Sequence, residues 1–131
     1  MDNTIKLSIV TPTGEIVSNS VKSVVLPGKD GEFGVLPHHS LLVSPLTVGV
    51  IEITNLDNTI DAIVINWGYA KISEYSVDVL VDGAVSLNSN DTSGLADKIL
   101  EAKNLVNSVQ DSSVSMAVVE AKIASYTVLL N

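Results

Sequence analysis

The sequence of 131 residues contains no cysteine and no arginine, and aromatic residues make up only 4% of it. Without cysteine the fold has neither disulfides nor thiolate metal ligands, which fits a reducing compartment. Without arginine it lacks the preferred bidentate ligand for phosphate and carboxylate groups. Lysines supply all 7 basic charges, against 15 acidic ones, and the net charge is −8. Because nucleic-acid binding depends on basic surfaces, we expect no nucleic-acid partner.

Long apolar runs are also missing, although 46% of the residues are hydrophobic. No segment reaches the roughly 18 continuous apolar residues of a membrane helix, and no signal-peptide pattern is present. We therefore expect no direct insertion into a membrane, although a partner could hold the chain at one. The length and the aliphatic content predict one domain with a core of Val, Ile and Leu and a modest appendage.

The first two thirds of the sequence reads as β structure. Short apolar runs between residues 4 and about 88 are separated by turn signals, such as Pro12-Thr13-Gly14 and Asn55-Leu56-Asp57-Asn58. Short strands with this spacing favour a β-sandwich or a barrel. The single tryptophan, Trp67, falls in a β run, where a tryptophan is more often part of the core than a binding platform.

The periodicity becomes helical after a polar linker. Asp91, Thr92 or Ser93 could cap a first helix, whose apolar residues are Leu95, Ile99, Ala102, Val106 and Val109. A second helical run comprises Val114, Ala117, Val118, Ala121, Ala124, Ser125 and Val128. A short polar turn between the two runs predicts an antiparallel helical hairpin, in which the small residues of the second run allow close helix contact. We therefore divide the chain into a β domain, residues 1–86, and a helical hairpin, residues 87–131.

The segment from Leu26 to Val43, LPGKDGEFGVLPHHSLLV, is a loop rich in glycine and proline between two β runs. Loops of this composition usually present a surface. It does not fit a phosphate-binding loop, since Asp30 stands where Ser or Thr is needed after Gly28-Lys29. The pair His38-His39 invites a metal hypothesis, but neighbouring residues on a strand point to opposite faces and no third ligand is evident. We expect no metal and no catalytic site.

Four motifs resemble the epsilon subunit of F-type ATP synthases. They are Ile9-Val10-Thr11-Pro12-Thr13-Gly14, the run Val21-Lys22-Ser23-Val24 leading to Leu26-Pro27-Gly28, the loop from Asp30 to His39, and the strand from Gly68 to Ile72. The resemblance implies an α+β fold, mainly β, in which a ten-stranded β-sandwich precedes an antiparallel helical hairpin. It also implies a non-catalytic rotor subunit of the central stalk, which couples the gamma subunit to the membrane-embedded c-ring.

The same resemblance implies two interfaces. The c-ring surface would consist of Gly28, Lys29, Asp30, Gly31, Glu32 and Phe33, with Glu32 as the acidic contact for basic c-ring loops. The gamma surface would include Leu36, His38, His39, Ser40 and Leu42. On the residues alone, Glu32 is more simply a solvated loop acid. The family resemblance places the chain peripherally at the cytoplasmic face of the bacterial plasma membrane.

The hairpin departs from the family pattern. Some bacterial members bind ATP there through an acidic residue and an arginine, whereas this chain offers only the adjacent Asp97 and Lys98. We expect no nucleotide binding and no cofactor. Basic residues on the last helix support inhibition of hydrolysis in the family, and here that helix carries only Lys122. Contact with the catalytic alpha and beta subunits therefore stays open. The alternatives are a free-standing β-sandwich that binds a ligand and a metal enzyme built on His38-His39.

Overall fold

The computed structural model describes residues 3–87, 95–109, 119 and 121–124. In this part of the chain, the bounds of nine strands and one helix are defined. They are β1 (Ile5–Thr11), β2 (Gly14–Gly28), β3 (Gly31–Val35), β4 (Leu42–Leu46), β5 (Gly49–Asn55), β6 (Ile60–Ile65), β7 (Gly68–Ile72), β8 (Ser76–Val81), β9 (Ala84–Leu87) and α1 (Leu95–Asn107). All nine strands end by Leu87 and the described helix begins at Leu95. The division into domains 1–86 and 87–131 stays a prediction.

Strand β2 is the longest strand and belongs to two sheets. Its first half, from Gly14 to Val21, pairs with β1, and its second half, from Val24 to Gly28, pairs with β3. The other edge of the second half pairs with β5, with an irregular register between Val21 and Ser23. An irregularity of this kind bends a strand and increases its twist, which lets one strand pass from sheet to sheet.

The strands form a sandwich of two five-stranded sheets. The first sheet has the order β2, β1, β8, β7, β4, with β1 and β8 parallel. The second sheet has the order β3, β2, β5, β6, β9, all antiparallel. Counting β2 once in each sheet gives ten strand segments, in agreement with the sandwich that the resemblance implies. The expectation of a mainly β fold is confirmed.

Period-2 alternation builds the core between the sheets. In β8, for example, Val77, Val79 and Val81 are buried whereas Asp78 and Leu80 are exposed. The same pattern brings Leu7 and Ile9 of β1 into the core. Burial of each such aliphatic side chain contributes about 1.5–3 kcal/mol. The core is built from aliphatic side chains, as the scarcity of aromatic residues requires.

Helical segments cover the outer face of the second sheet. Helix α1 contacts β9 and β6, and it buries Ala102 and Val106 there. Val119 and Ile123, both in helical conformation, join the same apolar cluster. The sheet side of the cluster consists of Val48, Val50, Ala62, Val64 and Leu87. The predicted periodicity of the first helix is thereby confirmed, since Ile99 and Val109 are partly buried in this cluster.

Three expectations are wrong. The segment from Leu26 to Val43, predicted to be one loop, contains the end of β2, all of β3 and the start of β4, because a two-residue turn between Gly28 and Gly31 lets its flanks pair. Ala121 and Ala124, predicted to face the other helix, are exposed, and Ile123 is buried instead. The run contains both small and larger apolar residues, and packing against the sheet selects the larger ones because they bury more apolar area. The rest of that run and the proposed caps at 91–93 lie outside the described residues. None of the described helices has the length and hydropathy to cross a membrane.

Trp67 is the third wrong expectation, since 51% of its surface is exposed. It lies in the connection between β6 and β7, where the preceding Asn66 takes the buried position. The Asn66 amide oxygen accepts hydrogen bonds from the backbone N–H groups of Trp67 (2.9 Å) and Gly83 (2.8 Å). Its amide nitrogen donates to the Asp82 carboxylate at 2.9 Å. This network fixes the turn and leaves the indole outside.

Candidate functional site

A tight turn joins β2 to β3. Gly28 pairs with Gly31, so Lys29 and Asp30 form a two-residue connection. Gly31 has a φ of 130°, a conformation that side-chain-bearing residues rarely adopt. A Cβ on Gly28 would lie 2.7 Å from the Gly31 carbonyl oxygen and 2.8 Å from the Phe33 ring. The two glycines are therefore required by the geometry, and the turn presents Lys29 and Asp30 at its tip.

The turn is anchored to β4, and the two enclose an open cavity. The Lys29 N–H donates to the Pro45 carbonyl at 3.3 Å, and the Thr47 N–H donates to the Pro27 carbonyl at 2.9 Å. The cavity has a volume of about 340 Å³. Its lining consists of Gly28, Lys29, Asp30, Gly31, Glu32, Phe33, Leu42, Ser44 and Pro45. All six predicted c-ring residues thus line one cavity, and Leu42, predicted for the gamma surface, lines it too.

Glu32 does not lie at the tip of the turn. It lies in β3 opposite Pro27, and its carboxylate accepts a hydrogen bond from the Lys122 ammonium group in an ion pair. Half of the Glu32 side chain is exposed, against 27% of Lys122. Burial lowers the pKa of the Lys122 ammonium, and the adjacent carboxylate, which favours the charged form, opposes that shift. Sequence gave no signal for this contact, because 90 positions separate the two residues.

The loop between β3 and β4 carries the predicted gamma residues. His38 has a φ of 71°, and its N–H donates to the Glu74 carbonyl at 2.7 Å. Its ring lies 3.6 Å from the Glu74 carboxylate (Nδ1 to Oε1) and meets the Tyr75 ring edge-on, with centroids 5.0 Å apart. His39 instead places Nδ1 2.8 Å from the Ser40 carbonyl oxygen. The two rings therefore have different partners, and the described residues contain no cluster of three or more potential metal ligands.

Exposed apolar side chains continue this loop onto the outer face of the first sheet. Leu36, Leu41 and Val43 are largely exposed in and beside the loop. On the sheet, Pro45 pairs with Tyr69, Tyr69 with Leu80, and Leu80 with Val10. These four residues, Val10, Pro45, Tyr69 and Leu80, are called the apolar row below. Tyr69 is 54% exposed and Leu80 60%. No sequence motif indicated the row, although the alternation in β7 and β8 places Tyr69 and Leu80 on the outward face.

The two weak nucleotide candidates lie elsewhere. Asp97 and Lys98 are exposed near the start of α1, far in sequence from the turn and the loop. As neighbours on a helix they point in directions about 100° apart. The absence of nucleotide binding stays a prediction.

Residues 4–87 match a family of proteins described as ATP synthase, delta/epsilon chain, beta-sandwich domain. The chain is 61% identical over 124 residues to the ATP synthase epsilon chain of Aliarcobacter butzleri, covering 95% of this chain and 98% of that protein. It is 54% identical over 121 residues to the ATP synthase epsilon chain of Campylobacter fetus subsp. fetus, covering 92% and 94% respectively.

Solved structures show the same fold at low identity. A chain in the Euglena gracilis mitochondrial ATP synthase (OSCP/F1/c-ring, rotational state 1) superposes with a TM-score of 0.64 at 22% identity, covering 95% of this chain and 75% of that one. A chain of the central stalk/c-ring of Tetrahymena thermophila mitochondrial ATP synthase gives 0.55 at 12% identity, covering 96% and 92%. These likenesses concern the fold, whereas the family follows from the sequence matches.

Proposed function

The chain belongs to the ATP synthase epsilon-chain family, as a non-catalytic subunit of the complex, and we propose that it links the gamma subunit to the c-ring through two separate surfaces. The observation that carries this proposal is that, among the described residues, no element covers the outer face of the first sheet. The second sheet buries its outer face under helical segments of the same chain. The first sheet presents the apolar row and the neighbouring loop to solvent.

The gamma surface is proposed to comprise the loop from Leu36 to Leu42 together with the apolar row. Contiguous exposed apolar patches mark interaction sites more often than isolated apolar residues do. Tyr69 is a rigid, amphipathic side chain of the kind enriched among the residues that dominate binding energy at interfaces. The backbone hydrogen bond from His38 to Glu74 and the ring contact with Tyr75 hold the loop against the connection between β7 and β8. We propose that gamma contacts the loop and the row together.

Titration of isolated gamma with variants of this chain tests the assignment. Tyr69→Ala and Leu80→Ala are each expected to weaken binding about tenfold, the effect of losing a residue worth more than 1 kcal/mol. His39→Ala and Leu42→Ala are expected to weaken it as well, with a nearly unchanged thermal transition. The matched control is Leu56→Ala, in the turn between β5 and β6, where the leucine is also exposed. Equal affinities for the Leu56, Tyr69 and Leu80 variants would remove the apolar row from the gamma surface.

The c-ring surface is proposed to be the β2–β3 turn and its cavity. Polar loops of the c-ring that carry basic residues would meet two carboxylates there, Asp30 at the tip and Glu32 on β3. A surface ion pair of this kind contributes about 0.2–1 kcal/mol, because water screens most of the Coulomb attraction. The acids therefore orient a partner that is held mainly by the shape of the turn and by the gamma contact.

Proton pumping driven by ATP in membrane vesicles tests this surface. Glu32→Lys is expected to impair coupling more than Glu32→Ala, since it replaces attraction by repulsion, and Asp30→Lys is expected to act in the same direction. Glu101→Lys, on the exposed side of α1, makes the same change of charge away from the turn. If Glu32→Lys, Asp30→Lys and Glu101→Lys all pump like the unmodified complex, the acids of the turn have no role at the c-ring.

The proposed location follows from the proposed partners. A subunit bound to both gamma and the c-ring lies peripherally at the cytoplasmic face of the bacterial inner membrane. Purification of the membrane-bound complex and identification of the proteins that cross-link to Asp30→Cys and Leu80→Cys variants would test the location and the partners together. Cross-links to the c subunit from position 30 and to gamma from position 80 are expected.

A further inference from the structure

The ion pair between Glu32 and Lys122 joins the β2–β3 turn to the C-terminal helical segment. Lys122 immediately precedes Ile123, which is fully buried in the apolar cluster on the second sheet. The packing of Ile123 therefore determines where the Lys122 backbone lies. Glu32 in turn is placed by its pairing with Pro27 in the edge strand β3. Each member of the pair is positioned by a different part of the fold, so the contact reports whether the segment is docked.

The Glu32 side chain is paired with Lys122 and is still half exposed to solvent. The Lys122 side chain is the more shielded partner. Glu32 also lines the cavity at the turn, together with Asp30. A basic group entering the cavity from outside would thus meet a carboxylate that already neutralises an internal ammonium group. The two cations would approach the same oxygen atoms.

We infer that the docked C-terminal segment and a basic partner at the β2–β3 turn compete for Glu32. This inference rests on the proposed contact between the turn and the c-ring. Lys122 lowers the affinity of the turn for the basic partner, both by occupying the carboxylate and by repelling the incoming cation. Because coupling between two binding events is reciprocal, the partner loosens the docked segment by the same factor. The turn thereby links occupation of the c-ring surface to the docking of residues 121–124.

Binding of the detergent-solubilised c-ring to the full-length chain measures this competition. Lys122→Met removes the charge and keeps an apolar stem of similar length, and it is expected to raise the affinity about 1.5- to 5-fold, the range for a partly exposed ion pair. Lys103→Met is the matched control, because it removes the same charge from the exposed side of α1. In a Glu32→Gln background, Lys122→Met is expected to bring no gain beyond that of the control.

Amide hydrogen exchange gives the reciprocal measurement on the unmodified chain. Addition of the c-ring is expected to accelerate exchange in residues 121–124 and to leave the amides of Ala102 and Val106 in α1 unchanged. The Lys122→Met chain is expected to show faster exchange at the same residues before the c-ring is added. Unfolding of the whole domain would raise exchange everywhere and is thereby distinguished from release of the segment.

The outcomes separate the inference from the proposed function. Binding of the c-ring with equal affinity by the unmodified, Lys122→Met and Lys103→Met chains overturns the competition and leaves the c-ring contact standing. A loss of affinity in Lys122→Met also overturns it, because Lys122 would then belong to the contact. Absence of binding by every variant overturns both the competition and the c-ring assignment. A gain in Lys122→Met alone that disappears in the Glu32→Gln background supports the competition.

Discussion

The two outer faces of the sandwich have similar patterns of apolar residues but differ in how far these residues are exposed. Both carry apolar side chains at the outward positions of their strands, represented by Leu80 in β8 and Leu87 in β9. Leu87 is fully buried under the helical segments, whereas Leu80 is 60% exposed. Helical segments of the chain cover the second sheet, whereas no described element covers the outer face of the first sheet. An uncovered apolar face on a stably folded subunit is best explained by a partner that covers it in the assembly.

The two faces are also expected to differ in their roles, one in folding and the other in binding. Residues of the covered face stabilise this chain by itself, so their substitution should change stability. Substitution of residues on the open face should leave the free energy of unfolding unchanged and should weaken association with gamma. The β2–β3 turn lies at the edge of the covered sheet and contributes to both, since Glu32 faces the docked segment and the cavity.

The largest effect is expected when the second sheet loses the helical segments that cover it. Removal of residues 90–131 would expose Val48, Val50, Ala62, Val64 and Leu87 together. We expect the truncated chain to self-associate, because the new apolar patch has no cover, and analytical ultracentrifugation measures this directly. Val50→Lys in the truncated chain should restore the monomer. In the assembled complex, we expect the truncation to leave the stalk intact and to change ATP hydrolysis little, and a several-fold rise in hydrolysis would contradict this.

Matched leucine substitutions compare the contributions of the two faces to stability without removing any helix or strand. Leu87→Ala is expected to lower the free energy of unfolding by about 2–5 kcal/mol, since it leaves a cavity in a packed cluster. Leu80→Ala is expected to change it by no more than about 0.5 kcal/mol, as is usual for surface positions. Urea unfolding followed by circular dichroism provides both values. Equal losses for the two leucines would mean that the faces do not differ energetically.

The glycines of the β2–β3 turn test how far the edge of the covered sheet depends on backbone geometry. Gly31→Ala is expected to cost about 1–3 kcal/mol, because alanine at a φ of 130° is strained. Gly34→Ala, three residues later in β3, is the control, since a Cβ there meets nothing within 4 Å. Thermal unfolding should separate the two variants. A Gly34→Ala chain as unstable as Gly31→Ala would show that the position in β3, and not the positive φ, determines the loss.

The smallest effect is expected at the turn between β5 and β6, away from both faces. The side-chain hydroxyl and the backbone N–H of Thr59 donate to Asp57 and lower the pKa of its carboxyl below 3.8. A lowered pKa in the folded state contributes stability that is present above pH 3.8 and is lost as the pH falls through the folded pKa. Asp57→Asn should flatten the stability curve slightly in that acid range and nowhere else. Unfolding midpoints measured at several pH values check the window.

Sequence periodicity determined the secondary structure of this protein to a large extent. The alternation of apolar residues in β8 and the helical spacing of Ala102 and Val106 each depend on neighbours a few positions away, so local chemistry is sufficient to predict them. The turn at Gly28 and Gly31 is determined in the same way, because only glycine fits its backbone. The predicted c-ring residues converge for this reason: they are consecutive in the chain and comprise the two-residue turn and the strand residues that flank it.

The tertiary structure alone decided the rest. In the helical segment 121–124, the burial of Ile123 and the exposure of Ala121 depend on the sheet beneath it. The exposure of Trp67 depends on Asn66, whose partners Asp82 and Gly83 come from another strand connection. The pairing of Glu32 with Lys122 joins residues 90 positions apart. Contacts of this range are fixed by packing of whole elements, and no local pattern of residues encodes them.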